Sequence, residues 1–397
     1  MNDAAAAADD DDDVVGLVLD DDFLFYSVIY SLITVVFAMA ILSKFFTNEF
    51  RFGVRSIVSL AVLFVGEPAC HFFLKGPAGV MSFAVCCLFI YSILPASHLP
   101  ALGKTVLITG CDSGFGYELA KKLDSIGMTV FAGCLNIEGV GAMNLKQTCS
   151  NKLEIVQLDV MKQDQIEAVF DIISKKSTGL WGLVNNAGIF QVGPIEMTSQ
   201  EIIVKKVFDI NFHGMVRTVR TFLPLLRQSR GRIVNMSSFT GRVPMEEFGV
   251  YVASKYAIEG YSDVLRLEMK KFGVKVSLVE PGGYKTNLAA SLTMKEELWN
   301  ASLPSIRDDV YGRKYVDDLF TNFTSVMKSC ASDLTPVIRA YRSALLSKRP
   351  RERYACDLLG ECVLAVLPVL PTWISDWFCH SLAIGRNLLP ACLQNQQ

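Results

Sequence analysis

Charge is scarce in this 397-residue chain: Asp, Glu, Lys and Arg make up 20% of it, and 38 bases against 40 acids leave a formal net charge of -2. A nucleic-acid binder normally shows a basic excess, so that class of partner is set aside. Paired cysteine signals are missing too. The chain has 11 cysteines but no C-x-x-C pair, Cys86 and Cys87 stand side by side in an apolar run, and none of the 4 histidines has metal-ligand spacing to a cysteine. No zinc site is readable, and unpaired, mostly buried thiols in a reducing compartment are expected. The N-terminus lacks the basic flank and small-residue cleavage site of a signal peptide, and it lacks the Arg-rich character of a mitochondrial presequence. No repeat is present, and no low-complexity segment outside an acidic tail.

That tail distorts the overall charge. Residues 1–22 hold nine of the 40 acids and no base, so the rest of the chain carries 31 acids against 38 bases. It is read as a disordered acidic segment. What the sequence has in abundance is apolar content, 51% with a mean hydropathy of +0.33, and this is concentrated before residue 104. Phe23 to Ser43 runs without a charge, enough at helical rise for a bilayer core of about 30 Å. Ile57 to Phe73 is a weaker stretch, interrupted by Glu67, Pro68 and His71, and a third uncharged run from Gly76 to Gly103 has its apolar heart at Val80 to Leu94. Residues 23–103 are therefore expected to anchor the chain through two or three spans. Lys44, Arg51 and Arg55 follow the first span, which favours an N-terminus away from the cytosol. Three spans then leave the bulk of the protein in the cytosol, the favoured side, and two leave it in the lumen.

From Lys104 the pattern changes to short apolar runs alternating with amphipathic ones. Thr105 to Ile108, Val130 to Cys134, Ile155 to Leu158, Gly182 to Val184, Ile233 to Met236 and Val274 to Val279 read as buried strands, with helices such as Tyr117 to Ile126 and Tyr251 to Phe272 between them. Such alternation implies an α/β domain with right-handed crossovers and a parallel sheet. The first strand runs into Gly110, Cys111, Asp112, Ser113, Gly114, Phe115 and Gly116 and then a helix. Glycines at this turn allow close backbone approach to a pyrophosphate, and the helix N-terminus supplies unpaired N–H groups, so a dinucleotide is expected here. Where an acid usually meets the adenosine ribose, after the second strand, stands Asn136. No Arg or Lys is nearby for a 2′-phosphate, and Asp112 would repel one, which favours NAD over NADP.

Tyr251 and Lys255 stand four apart on a helix and share a face, while Ser238 follows the fifth strand. This combination suits acid–base work on an alcohol: a tyrosinate takes the hydroxyl proton once a neighbouring ammonium has lowered its pKa from about 10.

The segment from about Lys104 to Leu288 resembles the short-chain dehydrogenase/reductase family. The likeness is carried by the Gly-rich turn, Asp159-Val160, Asn185-Asn186-Ala187-Gly188, Asn211, Ser238, Tyr251, Lys255 and Pro281-Gly282, in order. The resemblance implies a Rossmann-type doubly wound parallel sheet, preceded here by N-terminal transmembrane helices. It implies that Ser238, Tyr251 and Lys255 are catalytic, with Asn211 fixing a helix irregularity and a proton-relaying water. It further implies that Asp159 and Val160 frame the adenine, that Asn185, Ala187 and Gly188 line the cofactor cleft, and that Pro281, Gly282 and Thr286 contact the nicotinamide half. The wording of LITGCDSGFG, GLWGLVNNAG and GVKVSLVEPGGYKTNL is similar to the branch of retinol, 17β- and 11β-hydroxysteroid (type 2) and D-3-hydroxybutyrate dehydrogenases, and DLTPVIRAYRSALLSKRPRERY extends it to Tyr354. Oxidative members of that branch typically use NAD.

The expected domain is 104–355, with a substrate-covering stretch at about 283–335. There Leu288, Leu292, Met294, Leu298, Trp299, Tyr311, Tyr315, Phe320 and Phe323 suit a flat apolar alcohol or pack between helices. A small hydroxy acid needs a cation, for which Lys285, Lys295 and Arg307 are available. Residues 356–397, apolar at Cys362 to Leu370 and Trp373 to Phe378, are expected to dock on the membrane or on the domain. The resemblance thus implies an NAD-dependent dehydrogenase of a steroid or retinol hydroxyl in the endoplasmic reticulum membrane. D-3-hydroxybutyrate oxidation at the mitochondrion and a silent membrane-bound binding protein are the alternatives. A homodimer pairing through the Tyr251–Phe272 helix is implied as well.

Overall fold

The structure, a computed structural model, describes residues 21–47, 57, 61–74, 76–93, 98–286 and 291–394. The acidic tail to residue 20, Arg51, Arg55 and Leu288 lie outside them. The chain divides into two compact units, Met1–Pro95 and Ala96–Gln397.

In the first unit, helix α1 (Asp21–Thr47) contains Leu24–Ser43, the single helix among the described residues that is long and apolar enough to cross a membrane. The other two expected spans take a different form. The middle stretch breaks into a π-helical turn at Val62–Gly66 and a short helix α2 (Glu67–Phe73), whose Glu67 carboxylate accepts a hydrogen bond from the Thr34 hydroxyl at 2.5 Å. Helix α3 (Pro77–Ile93) has 17 residues, about 26 Å at 1.5 Å per residue, short of the hydrocarbon thickness of about 30 Å. Among the described residues one helix is thus long and apolar enough to span, and the expected second and third spans are not borne out.

In the second unit, hydrophobic runs too short and too β-branched for helices form seven parallel strands in the order β3-β2-β1-β4-β5-β6-β7. They are β1 (Thr105–Thr109), β2 (Thr129–Cys134), β3 (Leu153–Gln157), β4 (Gly182–Asn185), β5 (Arg232–Met236), β6 (Lys275–Glu280) and β7 (Arg353–Ala355). Successive side chains alternate between the two faces. Val106, Ile108, Val130, Ala132, Val184 and Val234 meet helices α4 (Gly114–Ser125) and α5 (Val140–Thr148), and α11 (Thr335–Leu346) from later in the chain. Leu107, Phe131, Leu183 and Ile233 meet α6 (Gln163–Lys176), α7 (Met215–Ser229) and α8 (Gly249–Met269) on the opposite face. This is a doubly wound sheet, and its strand order reverses at β1/β4, where such folds open a ligand crevice at the strands' C-terminal ends.

After β6 come α9 (Ser291–Ala301) and α10 (Gly312–Ser329), a cap packed on the segment that follows β4. Met294, Leu298, Tyr315, Phe320 and Phe323 are buried there against Val192, Met197, Ile203, Val207 and Val250, and Trp299 and Tyr311 pack on the same cluster. Most of the expected substrate-stretch aromatics therefore serve the cap's own core. After β7 the chain continues into α12 (Leu358–Val366) and α13 (Thr372–Leu382).

Candidate active site

The β1–α4 turn is shaped by its glycines. Gly110 has φ +72°, and a Cβ there would lie 2.9 Å from the Ala187 Cα, so only glycine lets the β1 and β4 ends approach this closely. A Cβ on Gly116 would fall 2.2 Å from the Gly110 carbonyl oxygen and 2.6 Å from Asn186 Nδ2. Gly116 thus seats α4 on the sheet and does not itself line the cleft. The cleft itself, about 440 Å³, is bordered by Gly110, Asp112, Ser113, Gly114 and Phe115 from this turn and by Asp159 and Val160 after β3. Ala187 and Gly188 after β4 complete one wall, and Pro281, Gly282 and Thr286 after β6 close the other end. Its length, glycine floor and helix N-terminus fit an extended dinucleotide.

Asp112 reaches across to the end of β2, where its carboxylate accepts hydrogen bonds from the backbone N–H groups of Leu135 at 2.9 Å and Asn136 at 3.0 Å. A carboxylate therefore does stand at the end of β2, supplied by the first turn instead of by β2 itself. The Asn136 side chain is not free for that role, because its Oδ1 accepts the Glu138 N–H at 3.0 Å in a local turn. Asn185 departs from expectation as well. It points into the core, where its Nδ2 donates to Asn235 Oδ1 at 2.8 Å and its Oδ1 accepts from the Thr218 hydroxyl at 2.6 Å. Strand alternation turns it away from the cleft. Its neighbour Asn186 carries the contact that the sequence reading missed, donating through Nδ2 to the carbonyls of Thr109 and Gly110, both at 3.0 Å, while accepting from the Tyr341 hydroxyl.

Ser238, Tyr251 and Lys255 converge at the inner end of the cleft, all three buried. Ser238 caps a 3₁₀ turn, its Oγ accepting from the N–H of Thr240 at 3.2 Å. Burial pushes the Tyr251 phenol up to about 12, against the pull of its hydrogen bond with Ser238. Burial brings the Lys255 ammonium down to about 8, opposed by the Glu259 carboxylate one turn along α8. Lys255 Nζ donates to the Met236 carbonyl at 3.0 Å and lies 5.5 Å from the Tyr251 ring centre. Asn211 sits in a π-helical turn, Asp209–Gly214, and spends its whole amide on structure. Oδ1 accepts from Ile189 N at 2.8 Å, while Nδ2 donates to Ile189 O at 3.0 Å and to Ser254 Oγ at 3.1 Å. The Ser254 hydroxyl donates in turn to the Tyr251 carbonyl at 2.7 Å, so Asn211 is linked to the Tyr251 turn without bordering the main cleft.

The Tyr251 ring is walled by aromatics, of which Phe190 and Phe248 carried no sequence signal while Phe323 belongs to the expected substrate-covering stretch. Phe190 packs on it edge-on at 4.4 Å between ring centres and stacks on Phe323 of α10 at 5.6 Å, and Phe248 closes the group. Two of the three expected cations are occupied elsewhere, Lys295 with Asp317 at 2.9 Å and Arg307 with Asp308 at 3.2 Å.

Comparison with known proteins agrees with this geometry. The short chain dehydrogenase family pattern matches residues 104–297. The chain is 38% identical over 311 residues to human 17-beta-hydroxysteroid dehydrogenase type 2, spanning 76% of this chain and 79% of that one. The chain belongs to the short-chain dehydrogenase family. It is also 42% identical over 294 residues to the mitochondrial D-beta-hydroxybutyrate dehydrogenase of Bos taurus, covering 71% of this chain and 85% of the relative. Among solved structures, a short-chain dehydrogenase from Streptomyces avermitilis superposes with a TM-score of 0.57 at 27% identity, over 70% of this chain and 98% of that one. This member of the family is an oxidoreductase.

Behind the site, the dehydrogenase buries two carboxylates, Glu259 on α8 and Glu280 at the end of β6, against Arg353 of β7. Arg353 Nη2 lies 3.0 Å from Glu259 Oε2, and its Nε lies 3.4 Å from Glu280 Oε1. Burial first, and Glu259 second, raise Glu280 above the ordinary carboxylate range. Neither acid was singled out in the sequence, because their partner lies 73 residues beyond Glu280 on the edge strand.

Proposed function

We propose that this dehydrogenase oxidises a hydroxyl on a lipophilic alcohol, a steroid or a retinol, with NAD as the cofactor and Tyr251 as the general base. The observation that carries the reading is the buried Ser238–Tyr251–Lys255 group set against the aromatic wall of Phe190, Phe248 and Phe323. Gly110, Ser113, Gly114, Phe115, Asp159, Val160, Ala187, Gly188, Pro281, Gly282 and Thr286 would hold the dinucleotide, and the Asp112 carboxylate favours a free ribose hydroxyl over a 2′-phosphate. When bound, the oxidised nicotinamide supplies the hydride acceptor and a positive charge.

Ser238 orients the substrate hydroxyl by hydrogen bonding. With its pKa near 12 in the absence of cofactor, Tyr251 is a phenol at neutral pH. It becomes a competent base when positive charge beside it, from Lys255 and from the oxidised cofactor, favours the phenolate. Tyr251 then takes the hydroxyl proton as the carbon gives up its hydride. Lys255, protonated below about pH 8, stabilises that phenolate. Asn211 acts through position, holding the Ile189 backbone and the Ser254 hydroxyl and, by family analogy, a relaying water.

A small hydroxy acid is the weaker reading despite the identity to the D-beta-hydroxybutyrate enzyme. The wall beside Tyr251 is aromatic, and Lys295 and Arg307 are engaged in ion pairs. Read as a span, Leu24–Ser43 with bases after it favours the cytosolic side for the catalytic unit, in keeping with an endoplasmic reticulum membrane protein. Pairing of two copies through α8 would cover its exposed Val264 and Leu267. The decisive experiment is a panel of estradiol, a corticosteroid, all-trans-retinol and D-3-hydroxybutyrate, each with NAD and NADP. NADH formation from a steroid or retinol is expected, and oxidation of D-3-hydroxybutyrate alone would overturn the substrate class.

A further inference from the structure

We propose that the outward face of α12 and α13 is a docking platform for a phospholipid bilayer, seated at the boundary of headgroups and acyl chains beside the mouth of the active site. The proposal rests on reading Leu24–Ser43 as a membrane span.

The apolar helical stretch Leu358–Val369 covers 12 residues, about 18 Å of helix, too short to span a bilayer and in the range of interfacial segments. Its inner side is accounted for: Leu364 and Leu367 are buried with Val243 and Cys379. Its outer side repeats at helical spacing as Leu359, Cys362, Val366 and Val369, all exposed, with Leu359 75% and Val369 78% accessible. A surface helix normally turns polar residues outward; this one turns a second apolar stripe to solvent. Glu361, its only ionisable residue besides the Cys362 thiol, is drawn away into a pair with Arg351 at 3.2 Å.

Helix α13 continues the surface with Trp373 and Trp377, one turn apart and 72% and 71% exposed. His380, on the same side, bends back to Glu246 at 2.8 Å, which leaves Asp376 as the ion beside the two indoles. Tryptophan is enriched at headgroup depth, where an apolar ring with one polar N–H satisfies both environments. Aliphatic residues at one end and tryptophans at the other present one apolar face, as a helix pair lying in the interface plane does. A bilayer is the occupant favoured because the same chain carries a span that holds the protein against one, and exposed apolar patches of this kind are otherwise unfavourable.

The position gives the platform a use. Arg242, four residues past Ser238, donates from Nη2 to the Leu364 carbonyl at 3.0 Å. Asp357 caps the start of α12 by accepting the Gly360 N–H at 2.6 Å, and its Oδ2 lies 3.6 Å from where a Cβ on Gly282 would stand. The platform is thereby fastened to the two loops that border the reacting end of the cleft. A lipophilic alcohol dissolved in the membrane would enter from the bilayer side without crossing water.

The test uses the full-length protein reconstituted into phosphatidylcholine vesicles in which part of the lipid carries bromine, near the headgroup or at mid-chain. Of the 4 tryptophans, Trp373 and Trp377 lie on the platform, while Trp181 and Trp299 lie in the body of the catalytic unit. Shallow bromines are expected to quench about half of the wild-type emission and to leave the emission of the W373F/W377F variant nearly unquenched. Equal fractional quenching of the two proteins would overturn the platform. So would a dimer in detergent that W373E/W377E converts to monomer, because the face would then belong to a second copy. As a functional arm, W373E/W377E is expected to raise KM for vesicle-borne retinol about tenfold with kcat unchanged; an unchanged KM would contradict entry from the bilayer. Failure of the wild type to oxidise any alcohol would count against the proposed activity and leave the quenching result to decide the platform by itself.

Discussion

Replacing Lys255 by methionine separates the cost of the site from its function. The ammonium is buried, and burial lowers its pKa from 10.5 to about 8. At about 1.4 kcal/mol for each pKa step, the charged lysine burdens the folded state by about 3 kcal/mol at neutral pH. Against this stands the hydrogen bond from Nζ to the Met236 carbonyl at 3.0 Å, a charged-donor contact contributing about 1.5 kcal/mol or somewhat more. Methionine fills a similar volume without charge, so K255M is expected to be more stable than wild type by about 1–2 kcal/mol at pH 7 and inactive in oxidation. The pH dependence fixes the sign. Between about pH 8 and 10.5 the unfolded chain still holds the lysine proton that the folded protein has released, so wild-type stability rises through this window. K255M lacks that rise, and its advantage shrinks towards pH 10. Thermal unfolding in detergent at pH 7 and pH 10, followed by tryptophan emission, measures both effects. A K255M protein less stable than wild type at pH 7, or one with the wild-type pH slope, would refute the reasoning that burial governs this lysine.

Three further outcomes follow from the same geometry. D112N removes the charge held at the end of β2 by Leu135 and Asn136 and should raise kcat/KM with NADP about tenfold, or about 1.4 kcal/mol, while NAD turnover falls less; initial rates with the two cofactors check it. Because Glu280 is raised above the ordinary carboxylate range by burial, it stabilises the fold when protonated, and that contribution is lost as pH climbs through its raised pKa. E280Q should therefore flatten the decline of melting temperature on the alkaline side of pH 5. N211A breaks all three hydrogen bonds of a buried amide and leaves the Ile189 N–H unpaired, for a loss of about 2–3 kcal/mol in denaturant unfolding and a fall in kcat greater than in kcat for a surface control.

The sheet and the Ser238–Tyr251–Lys255 group were legible because they obey local rules. Short apolar runs, buried almost throughout in β1, β2, β4, β5 and β6, mark the strands, the glycine turn joins strand to helix, and Tyr251 and Lys255 share a helical face. β7 was not legible, since three residues carrying Arg353 do not look like a strand until Glu259, Asp263 and Glu280 are brought to meet it. The inward turn of Asn185 and the outward one of Asn186 depend on which of two adjacent residues ends the strand's alternation, and that is set by packing against Thr218 and Asn235. An acid was sought after β2, but the carboxylate at that strand end comes from Asp112, 24 residues earlier than Asn136. Glu247 adopts φ +67° with its side chain taking the Tyr315 hydroxyl at 2.7 Å, a conformation that nothing in its neighbouring sequence announces. In the membrane region, hydropathy found the apolar segments, but helix continuity decided which one is long enough to span.

The central claim is that Tyr251 removes the hydroxyl proton. Tyr251→Phe keeps the ring against Phe190 and deletes only the phenol oxygen, so the fold and NAD binding should persist while NADH production from retinol or estradiol falls by about 10³-fold or more. Binding of NAD, followed by quenching of protein fluorescence, checks that the site is intact. NADH production by Y251F at the wild-type rate would contradict the account.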